Sequence, residues 1–186
     1  VLAFLQQKIK RTYPELTLIK CSALNDFYST NIFDVHSVAR HILSLNIDAG
    51  LENGDLSLVE KIAKVKVGEK KKEYYFYSFA SKYCSHHQPL KYAIYDSYVE
   101  KVLIYFRKRN HFCDFKNSNL KTYRDYMRII QTFQSFYGLD KYNLKQIDQY
   151  LWQLGREHYS KYPSSTRPAT DWGWRQNDIT TPPKRR

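Results

Sequence analysis

Apolar residues recur at helical spacing along most of this chain. Between residues 34 and 46 they fall three and four positions apart, which places them on one face of an α-helix. The same period returns in four later segments, at residues 55–65, 96–106, 120–137 and 143–154. The pattern predicts an all-α fold, a compact domain of several helices.

Residues typical of helix ends bound these segments. A short polar side chain at the N-cap accepts a hydrogen bond from the first helical turn, and a glycine often follows the last turn. Both signals agree with the boundaries that the apolar period predicts. The predicted N-caps are Asp34, Asp55, Asp96 and Asn143. The predicted stops are Gly54, Gly138 and Gly155.

Three stretches lack the helical period. Aromatic residues alternate in residues 70–80, which predicts either a short strand near 73–77 or the first turns of a helix. Residues 88–96 contain a proline and predict a connector. Residues 160–186 collect prolines and basic residues. We therefore expect one helical domain over residues 1–159, followed by a flexible basic tail, part of it of non-native origin.

Basic residues outnumber acidic ones, but unevenly. The chain has 30 Lys and Arg against 18 Asp and Glu, a formal net charge of +12. Residues 34–62 hold two basic and five acidic groups, whereas residues 63–99 hold seven and three, and residues 100–160 hold eleven and six. A positive field that is concentrated in the later part of the chain predicts a polyanionic partner.

A lysine and an aspartate in residues 77–103 form a candidate catalytic pair. Lys82 lies in an aromatic-rich stretch, where lost hydration would favour the neutral, nucleophilic amine. Asp96 opens the next predicted helix, where it would stay ionised and could stabilise a developing positive charge. Such a pair could attack an anomeric carbon. The alternative is a solvated surface lysine and an ordinary N-cap.

The sequences FYSFASKY (76–83) and YAIYDSYV (92–99) carry a family resemblance. They resemble motifs of the helix–hairpin–helix DNA glycosylase superfamily, in its bacterial branch with the 8-oxoguanine DNA glycosylase fold. There, a hairpin of the type L-P-G-V-G-x-K-x-A supplies a lysine that forms a Schiff base with the sugar, and V-P-V-D supplies an aspartate that aids base departure. The resemblance implies a fold of this type, with Lys82 and Asp96 at those two positions. Departures from the motifs are Ser78 and Ala80 in place of the hairpin glycines and Ala93 in place of the proline.

The resemblance also implies further site residues and no cofactor. Enzymes of this kind hold an extruded base by stacking it on aromatic side chains. Packing in the helical core is the alternative role for such residues. The nearest candidates for base stacking are Phe79, Tyr83, Tyr95 and Tyr98.

Basic runs flank the candidate pair and could contact nucleic-acid phosphates. Binding through such contacts weakens steeply with salt. Each run could equally be a solvated face or a helix end. The candidate residues are Lys70, Lys71, Lys72, Arg107, Lys108, Arg109, Lys121, Arg124 and Arg128.

The three cysteines are widely spaced, which favours reduced thiols in a cytoplasm over a disulfide scaffold. Two cysteines with nearby histidines could hold zinc, but the one-residue gap between Cys84 and His86 is tighter than usual zinc-ligand spacing. We therefore expect no metal. A histidine beside Lys82 could instead transfer protons. The cysteines and histidines considered are Cys21, Cys84, Cys113, His86, His87 and His111.

Together these features predict a cytoplasmic bacterial DNA-binding protein of glycosylase fold, which excises or recognises a damaged or modified base in duplex DNA. RNA stays open as the nucleic acid, as does the oligomeric state. No run of about 18 apolar residues occurs, so no membrane partner is expected. The alternative is a non-catalytic nucleic-acid-binding or protein-binding module of a bacterial defence or regulatory system, which the missing hairpin glycines favour. A third option is a protein–protein module whose charge only aids solubility.

Overall fold

The computed structural model of the protein describes residues 14–68 and 70–159. These residues are mostly helical, which confirms the predicted class, and they add one two-stranded hairpin and a 3₁₀ turn at Asn117–Lys121. The helices are α1 (Pro14–Tyr28), α2 (Val35–Ser44), α3 (Asp48–Asn53), α4 (Ser57–Ala63), α5 (Tyr77–His87), α6 (Ser97–Asn110), α7 (Tyr123–Phe136) and α8 (Leu144–Tyr159). The strands are β1 (Lys64–Val67) and β2 (Lys72–Tyr75).

The chain divides into two compact units. The first runs up to Tyr95 and takes in Thr122–Arg124, and the second comprises Asp96–Lys121 and the residues from Asp125 onward. Over the described ranges, no helix is long and apolar enough to cross a membrane. The predicted tail at 160–186 lies outside the described residues.

Helix ends in the first unit follow the predicted capping residues. The Asp34 carboxylate accepts a hydrogen bond from the backbone N–H of Ser37 at 2.9 Å and so caps α2. Helix α3 ends at Gly54, whose φ of +73° is the left-handed conformation that favours glycine. The Asp55 carboxylate then accepts from the N–H of Ser57 at 2.9 Å, at the start of α4. The predictions for Asp34 and Gly54 are confirmed, whereas the N-cap position of α4 is occupied by Leu56, one residue after Asp55.

The core of the first unit forms where α1 packs on α2 and α5, and α4 packs on α5. Three residues of the predicted apolar stripe of α2, Val38, Ala39 and Ile42, are buried. Helix α4 contributes Leu58, Val59, Ile62 and Ala63 to the same interior. Amphipathic patterning therefore determines which face of each of these two helices is buried.

The hairpin partly confirms the expected strand. Strand β2 overlaps residues 73–77, and α5 follows it directly, so each interpretation of residues 70–80 holds for part of the stretch. Strand β1 was expected to be the end of a helix over 55–65. Alternating Val65 and Val67 are buried between exposed Lys64 and Lys66, a pattern that suits a strand half-buried on one face.

Two predicted caps also hold in the second unit. The Asp96 carboxylate accepts from the N–H of Tyr98 at 2.8 Å, which caps α6. Asn143 and Gln146 form a reciprocal capping box, in which each side chain accepts from the other residue's N–H at 3.0 and 2.9 Å. Gly138, with φ of +63°, follows α7 as a stop.

Helix α8 does not stop at Gly155, where the sequence predicted its end. Gly155 lies inside the helix and against α6. A Cβ atom at this position would lie 2.7 Å from Cβ of Tyr98 and 2.8 Å from its carbonyl oxygen. The glycine therefore permits close helix–helix packing and does not terminate α8.

The helix expected from residue 120 begins later. Leu120 belongs to the 3₁₀ turn, and α7 starts at Tyr123. The N–H of Tyr123 donates to the Glu60 carboxylate at 3.1 Å, so a side chain distant in sequence satisfies the first turn. Such a partner leaves no local signal in the sequence.

Candidate functional site

Helix α5 carries a polar stripe within the first unit. Ser78, Ser81, Lys82 and Ser85 are spaced i, i+3, i+4 and i+7, so they share one face of the helix. Ser81, Lys82 and Ser85 are nevertheless buried. Because burying a polar group costs free energy unless it finds hydrogen-bond partners, this face needs a specific polar environment.

The Lys82 amine lies at the centre of that environment. The side chain is only 2% exposed, and Nζ donates a hydrogen bond to Oγ of Ser78. The carbonyl oxygen of Tyr95 lies 3.5 Å from Nζ and also accepts from Ser78 Oγ at 3.2 Å. Ser81 Oγ accepts from the N–H of Tyr95 at 3.0 Å. Ser78, Ser81 and Lys82 thus hold the connector after α5 through the backbone groups of Tyr95.

Tyr28, at the end of α1, completes this cluster. The centroid of its ring lies 5.2 Å from Lys82 Nζ, within the range of a cation–π interaction. Its hydroxyl shares a hydrogen bond of 2.7 Å with Nε2 of His86. The sequence carries no signal for this role of Tyr28, because Tyr28 precedes His86 by 58 residues and no local pattern links the two.

Asp96, the other half of the predicted pair, is the N-cap of α6 and belongs to the second unit. One of its carboxylate oxygens accepts a hydrogen bond from the Tyr98 N–H. The cap role that the sequence offered as an alternative is therefore real, whatever further role the charge has.

The predicted stacking aromatics are mostly core residues. Phe79 and Tyr83 are buried and lie 6.0 Å apart by ring centroids. Tyr95 is buried against Tyr77, with the centroids 4.6 Å apart. Tyr98 is half-buried. Because enclosed rings offer no open face to a base, we assign Phe79, Tyr83 and Tyr95 to packing.

The two positions that correspond to the hairpin glycines of the DNA glycosylases lie within a continuous helix. Ser78 and Ala80 both belong to α5, and the N–H of Ala80 donates to the carbonyl oxygen of Phe76 at 2.9 Å. That amide is consequently not available to a phosphate. The structure therefore does not place a phosphate-gripping hairpin at this point of the sequence.

Among the basic candidates of the first unit, Lys70, Lys71 and Lys72 are exposed around the turn of the hairpin. The Lys72 amine lies 5.3 Å from the centroid of the Tyr74 ring. Arg124 is also exposed. These side chains remain candidates for phosphate contacts.

The basic candidates at the end of α6 differ in their surroundings. Arg107 donates to the carbonyl oxygen of Phe115 at 2.6 Å, and its guanidinium lies 4.7 Å from the centroid of that ring. Arg109 donates to the Tyr105 hydroxyl at 2.6 Å. Lys108 is exposed. Arg107 therefore supports the loop after α6, whereas Lys108 and Arg109 face outward.

Two further basic candidates form ion pairs in the second unit. Lys121 Nζ lies 2.8 Å from a carboxylate oxygen of Glu100. Arg128 Nε lies 4.0 Å from a carboxylate oxygen of Asp125. Exposed pairs of this kind are weak, so both cations could still meet a phosphate.

The cysteine and histidine side chains do not form a metal site within the described ranges, where no three potential ligands lie together. Burial raises the pKa of the Cys84 thiol, and His86 is bound to Tyr28. Burial also lowers the pKa of His87 to about 4, which keeps the imidazole neutral near pH 7. Cys21 is buried as well, with its pKa raised to about 12 by desolvation.

A family model described as the HI_0787 N-terminal domain matches residues 2–91. An uncharacterized protein of Haemophilus influenzae is 48% identical over 151 residues, which cover 81% of this chain and 71% of that protein. The chain belongs to this family. No solved structure matches it.

The family match defines which part of the candidate site lies in the N-terminal domain. Tyr28, Lys82 and His86 all fall within residues 2–91, and Asp96 lies beyond them. The name of the Haemophilus influenzae relative states no activity, and the resemblance to glycosylases stays an interpretation of the sequence.

Proposed function

We propose that this protein binds DNA and acts on a damaged or modified nucleotide through the amine of Lys82. The observation that supports the proposal is the burial of that amine, which is enclosed beside the Ser78 hydroxyl and the carbonyl oxygen of Tyr95. Lysine is almost never fully buried unless it is paired, and burial by itself disfavours the charged form of the amine.

The proposed reaction begins with attack of neutral Lys82 Nζ on C1′ of the extruded nucleotide. The C1′–N bond to the base breaks as the new C1′–N bond forms, and the departing base takes the electron pair. The proton that the attacking nitrogen loses passes to the base. Opening of the C1′–O4′ bond, with uptake of a proton by O4′, then gives the Schiff base.

The role of Asp96 in this proposal comes from the resemblance. Its carboxylate would stabilise the positive charge that develops on the sugar as the base departs. The carboxylate lies at the N-terminal end of α6 and accepts a hydrogen bond from the Tyr98 N–H.

DNA binding in this proposal relies on the exposed basic residues. Lys70, Lys71 and Lys72 in the first unit, and Lys108 and Arg109 in the second, supply positive charge for phosphate contacts. The chemistry needs no metal or cofactor. A cytoplasmic location, where thiols stay reduced, fits the free cysteines.

Borohydride trapping on duplexes with a damaged base or an abasic site tests the proposal. Reduction of the Schiff base would join protein and DNA through a stable secondary amine. We expect an adduct with the full chain and none with Lys82→Ala, while the control Lys61→Ala, which removes an exposed lysine, traps as the parent does. An adduct that persists in Lys82→Ala would overturn the assignment.

A second candidate function is a non-catalytic nucleic-acid-binding module. The specific observation that favours it is the continuous helix at Ser78 and Ala80, where the DNA glycosylases have a hairpin. In that case Lys82→Ala would leave DNA affinity unchanged at fixed salt, and no substrate would lose a base. Titration and a base-release assay on the same variant distinguish the two functions.

A further inference from the structure

We propose that Tyr28 controls access to the Lys82 amine and that its hydrogen bond to His86 holds it in place. This inference takes its biological meaning from the proposed function of Lys82. It identifies a positioning residue in α1, far from the residues on which the family resemblance rests.

The contact geometry carries the inference. Lys82 and His86 are one helical turn apart on α5, and Tyr28 contacts both. Its ring lies 5.2 Å from Nζ by its centroid, and its hydroxyl reaches Nε2 of His86 at 2.7 Å. The two rings meet edge to face, with centroids 5.5 Å apart. One side chain therefore spans the distance between the amine and the imidazole.

Exposure shows the direction in which Tyr28 acts. Lys82 is 2% exposed, whereas Tyr28 is 37% exposed. Tyr28 is thus in contact with solvent on one side and with the amine on the other. A sugar that approaches Lys82 from this side must displace the ring.

Side-chain hydrogen bonds hold the backbone of the turn that follows Tyr28. The Asn25 side chain donates to the carbonyl oxygen of Ile32 at 3.1 Å and accepts from its N–H at 2.9 Å. The Thr30 hydroxyl also donates to Asn25, at 2.8 Å. These bonds close the turn after α1 across Ser29, whose φ of +46° is left-handed.

The ring has a second effect on the amine. An aromatic face stabilises an ammonium group, so Tyr28 in contact favours the charged, unreactive form of Lys82. Displacement of the ring by substrate would remove this interaction and expose the nucleophile at the same moment. Tyr28 would thereby limit the reaction of Lys82 with aldehydes that are not its substrate.

Reductive methylation tests this inference without DNA. The full chain is treated with formaldehyde and cyanoborohydride under native conditions, and the modified fraction of Lys82 is followed by mass spectrometry, relative to exposed Lys61. We expect Tyr28→Ala to raise the labelling rate of Lys82 about tenfold. Tyr28→Phe and His86→Ala, which each remove the hydrogen bond but leave an aromatic ring at position 28, should raise it about threefold.

Phe27→Ala is the matched control, since Phe27 is the neighbouring residue of α1 and is 70% exposed. It should leave the labelling rate unchanged. Equal labelling of Lys82 in the parent and in both Tyr28 variants overturns the inference, as does an equal increase in Phe27→Ala. The result is independent of the trapping assay: slow labelling released by Tyr28→Ala supports access control even if no DNA adduct forms, in which case the proposed function alone fails.

Discussion

Buried polar side chains give α5 its unusual character. Its apolar residues Phe79, Ala80 and Tyr83 pack as a helix core, but Ser81 and Lys82 are enclosed with them. A hydrogen bond between two polar groups is stronger in such a setting than on the surface. A buried polar group without a partner also costs more free energy there. The pH dependence of stability that individual ionisable groups cause therefore tests how this interior is packed.

His87 provides a prediction on pH. Its folded pKa of about 4 lies below the ordinary value of 6.5, because burial and then the charge of Lys20 disfavour the imidazolium. Between these values the unfolded state binds a proton that the folded state excludes, so the free energy of unfolding falls as the pH drops from about 6.5 to 4, by roughly 3 kcal/mol. Urea unfolding across this range measures the slope.

His87→Phe should remove this part of the pH dependence while keeping a ring against Tyr83, whose centroid lies 4.8 Å away. The control His36→Phe changes an exposed histidine and should retain the slope. Identical slopes in the parent and His87→Phe would show that His87 titrates normally.

Asp96 can be tested so that its two roles separate. Serine also caps helices, so Asp96→Ser keeps the acceptor for the Tyr98 N–H and removes the charge, whereas Asp96→Ala removes both. We expect slower borohydride trapping in both variants and a loss of about 1 kcal/mol in stability only in Asp96→Ala. Trapping at the parent rate by Asp96→Ser would leave Asp96 as a cap alone.

Helix packing in the second unit depends on one glycine. The contact of α6 and α8 at Gly155 leaves no space for a Cβ atom, and two of the nearest atoms belong to the backbone of Tyr98. A backbone neighbour cannot rotate away, so relief requires movement of a whole helix. The short distance between α6 and α8 at this point therefore depends on both helices.

Gly155→Ala should therefore destabilise the protein by about 1–3 kcal/mol through overpacking, although alanine is the better helix former. Thermal and urea unfolding would measure the loss. Gln153→Ala, on the exposed face of the same helix, should change the stability by less than about 0.5 kcal/mol. A stabilised Gly155→Ala would mean that the helices have room to separate.

Local signals predicted the helices well and their tertiary uses poorly. Asp34 and Asn143 could be identified because a cap acts within a few residues of itself. Gly155 could not, because a glycine that ends a helix and one that admits a neighbouring helix look the same in sequence. Strand β1 was missed because its four residues directly continue the apolar pattern of α4.

The candidate site was predictable only in part for the same reason. Lys82 stood out by its aromatic surroundings and by a motif, and the structure shows it buried. Tyr28 became visible as its partner only once α1 and α5 were placed together. Contacts between residues far apart in the chain leave no periodic signal.

The charge of the complete chain leads to a prediction for DNA binding. If Lys70, Lys71 and Lys72 contact phosphates, replacing all three by alanine should lower the slope of log affinity against log salt by about 2–3. Titrations at several salt concentrations measure this slope. The double variant Lys61→Ala and Lys141→Ala removes exposed charge elsewhere and should keep it. Equal slopes for all three proteins would exclude the hairpin lysines from the interface.

The proposed function places covalent chemistry at a single amine, so the residue that becomes bonded to the sugar distinguishes it from DNA binding alone. The chain would be incubated with a duplex that contains a damaged base or an abasic site, reduced with borohydride, digested with nuclease and protease, and mapped by mass spectrometry. We expect a sugar remnant on Nζ of Lys82. A remnant on another lysine or on the terminal amine, or no remnant on any substrate, would contradict it.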